Sequence, residues 1–218
     1  MIYLDEMPER FDKILHWYCG QGGTTPTAPA ELFQLYHWFF AIGMSMQHVY
    51  YHSKAKDRSR DYSVVELGTG LGVSSILMAK GFKDGNEYCP QKNKCLLLTV
   101  DNGNESSTQK AAQIIKLANR QFGLSIKFQI GNDMERLKSL PDWSVDALFT
   151  DANHGYADVI NALDLGVPKV VMRGRIMGHD YDPVELSVPL AIEDWKAKNG
   201  QLVGGWGLIN SLWWMIKR

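Results

Sequence analysis

The chain has 218 residues, of which 45% are hydrophobic and 22% are charged, a balance that is typical of a globular domain and excludes a disordered chain. Its 23 Lys and Arg residues nearly cancel its 24 Asp and Glu residues, which leaves a net charge of −1. Because no overall positive field attracts polyanions, we expect neither nucleic acid nor a membrane among its partners.

We expect no export signal at the beginning of the chain. Residues 1–6 lack the basic start and the apolar run of a signal peptide, and no segment reaches the ~20 apolar residues that a membrane span needs. The chain has three cysteines, an odd number, which indicates a reducing compartment. We therefore expect a cytoplasmic protein.

Residues 1–60 form a predicted N-terminal helical extension. Apolar residues at helical spacing predict one helix over 5–18, and Pro29 begins a second helix that ends near Tyr50. The polar stretch 52–60 reads as a surface connection into the main domain, residues 61–218. We expect the two parts to form one compact unit.

Strands and helices alternate after this connection. The predicted strands are residues 63–67, 96–100, 126–130, 145–150, 175–178, 201–204 and 212–216. The predicted helices are residues 73–80, 107–122, 134–140, 156–165 and 188–199, and residues 81–94 read as an extended loop. This alternation predicts a parallel sheet with helices on both faces.

A glycine-rich turn follows the first predicted strand. Gly68, Gly70 and Gly72 stand at every second position before a helix, and Glu66 precedes them. Glycines permit a tight turn and the close approach of a ligand, and the helix start offers unpaired N–H groups. A dinucleotide loop has the spacing Gly-x-Gly-x-x-Gly, and an acid beside it would repel a pyrophosphate. The pattern favours S-adenosylmethionine, whose amino group a carboxylate can bind.

Asp101 supports the same site from the next strand. It closes the predicted strand 96–100, where a carboxylate can bind the two hydroxyls of a ribose. An aspartate at the end of a strand is also a common turn residue. The pair of acids, Glu66 and Asp101, is therefore stronger evidence for this cofactor than either acid alone.

With these motifs the chain resembles the class I S-adenosylmethionine-dependent methyltransferases, particularly the small-molecule O-methyltransferase-like group called methyltransferase family 24. The resemblance rests on residues 66–75, 99–101, 151–156 and 174–181. It implies a Rossmann-like α/β fold with seven strands in the order 3-2-1-4-5-7-6 and an antiparallel last strand. It also implies that the N-terminal extension acts as a substrate cap.

The resemblance also implies the cofactor site. Glu66, Gly68 and Gly70 would line the methionine part, Asp101 would bind the ribose, and residues 131–134 would border the adenine. The full predicted set is Glu66, Gly68, Thr69, Gly70, Gly72, Ser74, Asp101, Asn102, Asp133, Met134 and Asp151. The chain departs from the family where Met172-Arg173-Gly174 replaces Pro-Gly-Gly, which we expect to change only a turn.

Four polar residues follow the fourth and fifth predicted strands: Asp151, His154, His179 and Asp180. In one arrangement, Asp151, His179 and Asp180 hold Mg²⁺, although a histidine is a softer ligand than Mg²⁺ prefers. In the other, which we favour, no metal binds and His154 or His179 is the base. Asp151 could instead cap the helix that begins near Gly155, and His154 could be a structural residue. The predicted catalytic residues are Asp151, His154 and His179.

These observations predict methyl transfer from S-adenosylmethionine to a small-molecule acceptor, at a hydroxyl group. Two alternatives stay open: a nicotinamide-dependent reductase with the same fold, and a non-catalytic protein that binds S-adenosylmethionine. A homodimer is also left open, because the sequence does not determine the oligomeric state.

Overall fold

A computed structural model describes residues 6–25, 27–51, 61–89, 92–103 and 105–218. Their helices are α1 (Met7–Gly20), α2 (Pro29–Tyr51), α3 (Val73–Asn86), α4 (Glu105–Phe122), α5 (Asp133–Ser139), α6 (Tyr156–Gly166) and α7 (Ser187–Asn199). Their strands are β1 (Tyr62–Leu67), β2 (Cys95–Asp101), β3 (Ser125–Ile130), β4 (Val145–Thr150), β5 (Val170–Gly178), β6 (Val203–Ile209) and β7 (Leu212–Lys217). The predicted surface connection, 52–60, lies outside the described residues. Across the described ranges, no helix has the length and apolar character to cross a membrane.

The seven strands form one sheet in the order β3-β2-β1-β4-β5-β7-β6. β1 pairs with β4 and β4 with β5 in parallel, whereas β7 runs antiparallel to both β5 and β6. Nearly every residue of β1 and β4 is buried, as expected for central strands that helices cover on both faces. The predicted Rossmann-like fold, its strand order and its antiparallel last strand are confirmed.

The chain divides into two compact units. The first comprises Met1–Tyr62, Gly70–Leu97 and Asn104–Lys127, and the second comprises Ser63–Thr69, Leu98–Gly103 and Phe128–Arg218. The core of the second unit contains aliphatic residues of β1, β4 and β5 together with the fully buried rings of Trp195 and Trp213. This core supports the strand ends where the candidate site lies.

The predicted loop 81–94 is wrong over residues 81–86, because α3 continues to Asn86. Gly81 and Gly85 interrupt the helical pattern in sequence, but they are the points where α2 approaches α3. A Cβ on Gly81 would lie 2.4 Å from the carbonyl oxygen of Tyr36, and a Cβ on Gly85 would lie 2.0 Å from that of Phe40. Close packing of two helix backbones therefore explains these glycines.

Two strands, β5 and β6, are longer than predicted by three residues or more, and both contain a bulge. β5 begins at Val170, and its register shifts around Arg173, which has a φ of +62°. The departure Met172-Arg173-Gly174 therefore lies at a bulge inside β5 rather than in a turn, and Arg173 adopts a left-handed conformation that glycine adopts at lower cost. β6 begins later than predicted, at Val203, and runs to Ile209 despite three glycines, because the antiparallel ladder with β7 supplies its hydrogen bonds.

Candidate active site

The carboxyl ends of β1, β4 and β5 meet at one edge of the sheet. Leu67 pairs with Thr150, and Thr150 pairs with Gly178. The next residues of the three segments, which therefore lie side by side, are Gly68, Asp151 and His179. Ligands of open α/β sheets bind at this edge.

Gly68 makes the turn that leaves β1. Its φ is +87°, and a Cβ on it would lie 2.1 Å from the carbonyl oxygen of Asp151. Gly70 also has a left-handed φ, +50°, but a Cβ there would meet nothing within 4 Å. Close backbone packing thus requires a glycine at position 68. At position 70 the left-handed backbone favours glycine, and the space beside it is open.

Gly72 and Ser74 complete the predicted glycine loop at the start of α3. Gly72 precedes the helix with a φ of +84°, and Ser74 is buried in the first helical turn. Both residues, like Gly70, belong to the first compact unit. Their placement is the strand–turn–helix order that the sequence predicts.

The Asp101 carboxylate is held by two backbone groups. Thr69 N–H donates to Oδ2 at 3.0 Å and Gly103 N–H donates to Oδ1 at 2.9 Å. The Thr69 hydroxyl contacts the Thr99 hydroxyl at 2.6 Å, which fixes Thr69 against β2. Asn102, the next predicted residue, is exposed. The end of β2 therefore presents a carboxylate of fixed orientation, as the binding of vicinal hydroxyls requires.

The predicted adenine border begins α5. Asn132 caps this helix, since its side chain accepts the Glu135 N–H at 2.9 Å. Asp133 is buried, and its Oδ1 accepts the Met134 N–H at 2.8 Å. Gly131 N–H donates to the Asp101 carbonyl at 3.0 Å, so this segment lies beside the end of β2.

Asp180 lies between two histidines. Its Oδ2 is 2.9 Å from His154 Nε2, and its Oδ1 is 3.0 Å from His179 Nδ1. Asp151 Oδ1 is farther away, 3.7 Å from His179 Nδ1 and 4.0 Å from His154 Nε2. Asp180 itself has a φ of +60°, a conformation that a non-glycine residue adopts at a cost and that concentrates at functional sites. The four residues predicted at these strand ends therefore form one cluster.

The carboxyl groups of this cluster have opposite pKa shifts. Burial raises the pKa of Asp151 to about 7, the charges of Asp180 and Glu66 also raise it, and the two histidines oppose the rise. Burial also acts to raise the pKa of Asp180, but hydrogen bonds from His154 and His179 hold it well below its usual range. The hydrogen bond with Asp180 raises the pKa of His154 in turn. Asp180 is thus ionised, and Asp151 changes its charge near neutral pH.

Glu66, the acid that precedes the glycine turn, is fully buried at the end of β1. Its charge raises the pKa of Asp151, which places the two carboxyl groups within electrostatic reach. A buried and a partly exposed carboxyl group beside a glycine turn suit a cationic ligand group and would repel a pyrophosphate. These donors therefore fit S-adenosylmethionine better than a dinucleotide.

The alternative that Asp151 caps a helix is wrong. Gly155 occupies the cap position of α6, and no side chain caps this helix. His154, by contrast, is about half exposed, and its Nε2 contacts Asp180. The geometry therefore leaves the Asp151 carboxylate at the strand edge rather than at the helix.

Two residues of the β6–β7 hairpin also reach the cluster and were missed in the sequence. Ser211 Oγ lies 2.9 Å from His179 Nε2, and Trp213 Nε1–H donates to the His179 carbonyl at 3.1 Å. They lie more than thirty residues beyond His179 and outside the region of resemblance. No local motif marks Ser211, because only the pairing of β7 with β5 brings it to the site.

Mg²⁺ fits this donor set poorly. Among the described residues, Asp151, His154 and Asp180 each place one ligand atom within 4.8 Å of the others. However, Mg²⁺ prefers oxygen ligands throughout, and both Asp180 oxygens contact histidine nitrogens. The predicted Mg²⁺ ligands are Asp151, His179 and Asp180. The two ring nitrogens of His179, however, contact Asp180 and Ser211.

Comparisons with known proteins agree with this geometry. The model of methyltransferase family 24, described as a methyltransferase domain, matches residues 65–181. No curated protein sequence matches the chain significantly.

Three solved structures are similar in fold. An O-methyltransferase from Bacillus cereus in complex with SAH has a TM-score of 0.62 and 14% identity, over 96% of this chain and 91% of that one. The O-methyltransferase TomG from Streptomyces achromogenes in complex with SAM has a TM-score of 0.51 and 14% identity, over 82% and 88%. The O-methyltransferase NovP has a TM-score of 0.54 and 15% identity, over 83% and 79%. At these identities the similarity establishes the fold.

Proposed function

Because the chain belongs to methyltransferase family 24, we propose that it methylates a hydroxyl group of a small acceptor molecule. The chain is an S-adenosylmethionine-dependent methyltransferase by its family, and the acceptor class is the proposed part. The observation that carries it is the contact between His154 and Asp180 at the edge where β4 and β5 end. An ionised carboxylate on one ring nitrogen leaves the other nitrogen to act as a base.

Two further observations support a small acceptor with an oxygen nucleophile. The net charge of −1 provides no field for a nucleic acid. The structural neighbours named above are O-methyltransferases, and a hydroxyl is the acceptor group that needs a base, since its own pKa lies far above neutral pH.

The cofactor is held, in this proposal, by the residues around the glycine turn. Glu66 binds the ammonium group, Asp101 binds the ribose hydroxyls, and Asp133 and Met134 border the adenine. When bound, S-adenosylmethionine supplies an electrophilic methyl group on a positively charged sulfur. Asp151 stabilises this positive charge and is itself kept ionised by it.

His154 removes the acceptor proton. Its Nε2–H donates to Asp180, and its Nδ1 has no partner among the described residues. When the hydroxyl oxygen takes the methyl group, the carbon–sulfur bond of the bound cofactor would break and Nδ1 of His154 would accept the hydroxyl proton. The products would be the methyl ether, S-adenosylhomocysteine and a protonated His154.

The first test is calorimetric titration of the protein with S-adenosylmethionine, with NADH as the control ligand. We expect saturable micromolar binding of S-adenosylmethionine alone. Preference for NADH would instead support the reductase and overturn the cofactor assignment.

The second test is transfer of a labelled methyl group to a panel of small alcohols and phenols. Assays with EDTA and with added Mg²⁺ test the metal alternative directly.

We expect His154→Gln to lower kcat by about 10²–10⁴-fold, the typical contribution of a general base. Lys198→Gln, a change at an exposed position of α7 and outside the proposed cap, is the control. Full activity of His154→Gln would contradict the assignment of the base, and binding without any transfer would support the non-catalytic alternative.

Three finer predictions accompany this function. A cytoplasmic location, proposed on the odd number of cysteines, is checked by cell fractionation. A homodimer is checked by sedimentation. The role of residues 1–60 as a substrate cap is checked by the KM for the acceptor after substitutions on α1.

A further inference from the structure

The turn between β6 and β7 holds the segment that carries Asp180. Ser211 Oγ contacts His179 Nε2 at 2.9 Å, and the Ser211 carbonyl accepts the Tyr181 N–H at 3.0 Å. Trp213 Nε1–H donates to the His179 carbonyl at 3.1 Å. The hairpin therefore holds the residues on both sides of Asp180.

Aromatic packing adds to these hydrogen bonds. The ring centroids of Tyr181 and Trp206 are 5.5 Å apart, and those of Trp206 and Trp213 are 6.5 Å apart. These contacts restrain the segment that follows Asp180. A restraint is needed there, because Asp180 has a φ of +60° and such a conformation persists only where its surroundings impose it.

The hydrogen bonds also determine where the protons lie. An ionised Asp180 accepts only, so His179 Nδ1 and His154 Nε2 must be its donors. A neutral His179 that donates from Nδ1 accepts at Nε2, and the Ser211 hydroxyl is the donor to this nitrogen. The order of contacts is then Ser211, His179, Asp180 and His154.

We propose that Ser211 is a positioning residue for the methyl transfer, which together with Asp180 fixes the tautomer of His179 and thereby holds Asp180 in place to orient His154. This inference rests on the proposed role of His154 as the base. Without the hydroxyl donor, His179 can protonate Nε2 instead of Nδ1. Asp180 then loses one of its two donors, and the orientation of His154 is no longer unique.

Long-range ¹H–¹⁵N spectra of the histidine rings test the proposal without any acceptor. They are recorded on the full-length protein at about two pH units above the ordinary histidine pKa of ~6.5, with His154→Gln and His179→Gln used to assign the signals. In the unsubstituted protein we expect His179 protonated on Nδ1 and His154 protonated on Nε2. In Ser211→Ala both rings should give signals averaged between two tautomers, and Ser211→Thr should restore the single forms.

Ser144→Ala is the matched control, since Ser144 Oγ donates to the Pro141 carbonyl at 2.7 Å in another turn. It should leave both spectra unchanged. In the methyl transfer assay we expect Ser211→Ala to lower kcat about tenfold while the KM for S-adenosylmethionine stays unchanged, and Ser211→Thr to recover it.

The two proposals fail in different ways. An unchanged His154 signal in Ser211→Ala would overturn the positioning role, even if kcat fell. Undiminished transfer by His154→Gln would overturn the assignment of the base and leave the tautomer result standing.

Discussion

Gly85 tests the packing of α2 on α3. In Gly85→Ala, the new Cβ would lie 2.0 Å from the Phe40 carbonyl oxygen and 2.8 Å from the Phe40 carbonyl carbon, whereas ordinary contacts begin at 3.4 Å. The obstacle is helix backbone and cannot rotate away like a side chain. The two helices must therefore separate, and they lose contacts along their interface.

Two effects of opposite sign determine the result. Alanine favours a helix interior over glycine by about 1 kcal/mol, and overpacking a well-packed site costs about 1–3 kcal/mol, occasionally more. Because the contact at Gly85 is to backbone, we expect a cost at or above the upper end of this range. The free energy of unfolding should then fall by about 2 kcal/mol, which lowers Tm by about 4–8 °C for a chain of this size.

The matched control is Gly20→Ala, at the last residue of α1, where a Cβ would meet nothing within 4 Å. It should leave Tm unchanged or raise it, since only the helix preference acts. Urea unfolding followed by circular dichroism measures both variants. If Gly85→Ala were as stable as Gly20→Ala, the close approach of α2 to α3 would be refuted.

Three further predictions concern the strand ends and the bulge in β5. Asp101→Asn should raise the Kd for S-adenosylmethionine about 10–100-fold in calorimetry. The two carboxylate oxygens of Asp101 accept from two backbone N–H groups, whereas an amide has only one acceptor oxygen. An unchanged affinity would show that Asp101 does not belong to the cofactor site. Burial raises the pKa of Asp151 to about 7. Protonation of Asp151 therefore stabilises the folded protein fully below the unfolded pKa of ~3.9, and this stabilisation is lost as the pH rises through 7. Asp151→Asn should accordingly have a higher Tm than the unsubstituted protein at pH ~8 but not at pH ~4, and a difference independent of pH would contradict the shift. Arg173→Gly should stabilise the protein by about 0.5–1 kcal/mol, since Arg173 has a φ of +62°, and a lower Tm would show that the Arg173 side chain makes a compensating contact.

The sequence was sufficient for much of the fold because its signals are local. Alternating strands and helices, glycines after β1 and an acid after β2 follow from neighbouring residues. The strand order, in contrast, came from resemblance to a family, since periodicity carries no information about which strands pair. The observed strand order agrees with that resemblance, whereas the site residues that it implies stay predictions.

The prediction was wrong where a residue served tertiary packing rather than local conformation. Gly81 and Gly85 read as the beginning of a loop because isolated glycines disfavour a helix. In the structure they lie inside α3, where the helix backbone meets the carbonyl groups of α2. In a sequence, a glycine can indicate either a turn or a close contact between backbones. Only the tertiary structure shows which of the two applies.

The candidate site shows the same division. By itself, the sequence predicted which groups bind the cofactor and act as a base: Glu66, Asp101, Asp151 and the histidines beside two strand ends. Only the tertiary structure decided that His154 and His179 share Asp180, and that Ser211 reaches His179 from the C-terminal hairpin. The physical reason is that donor and acceptor types are properties of single residues, whereas a hydrogen bond depends on a separation of about 3 Å that distant segments acquire only when the sheet pairs its strands.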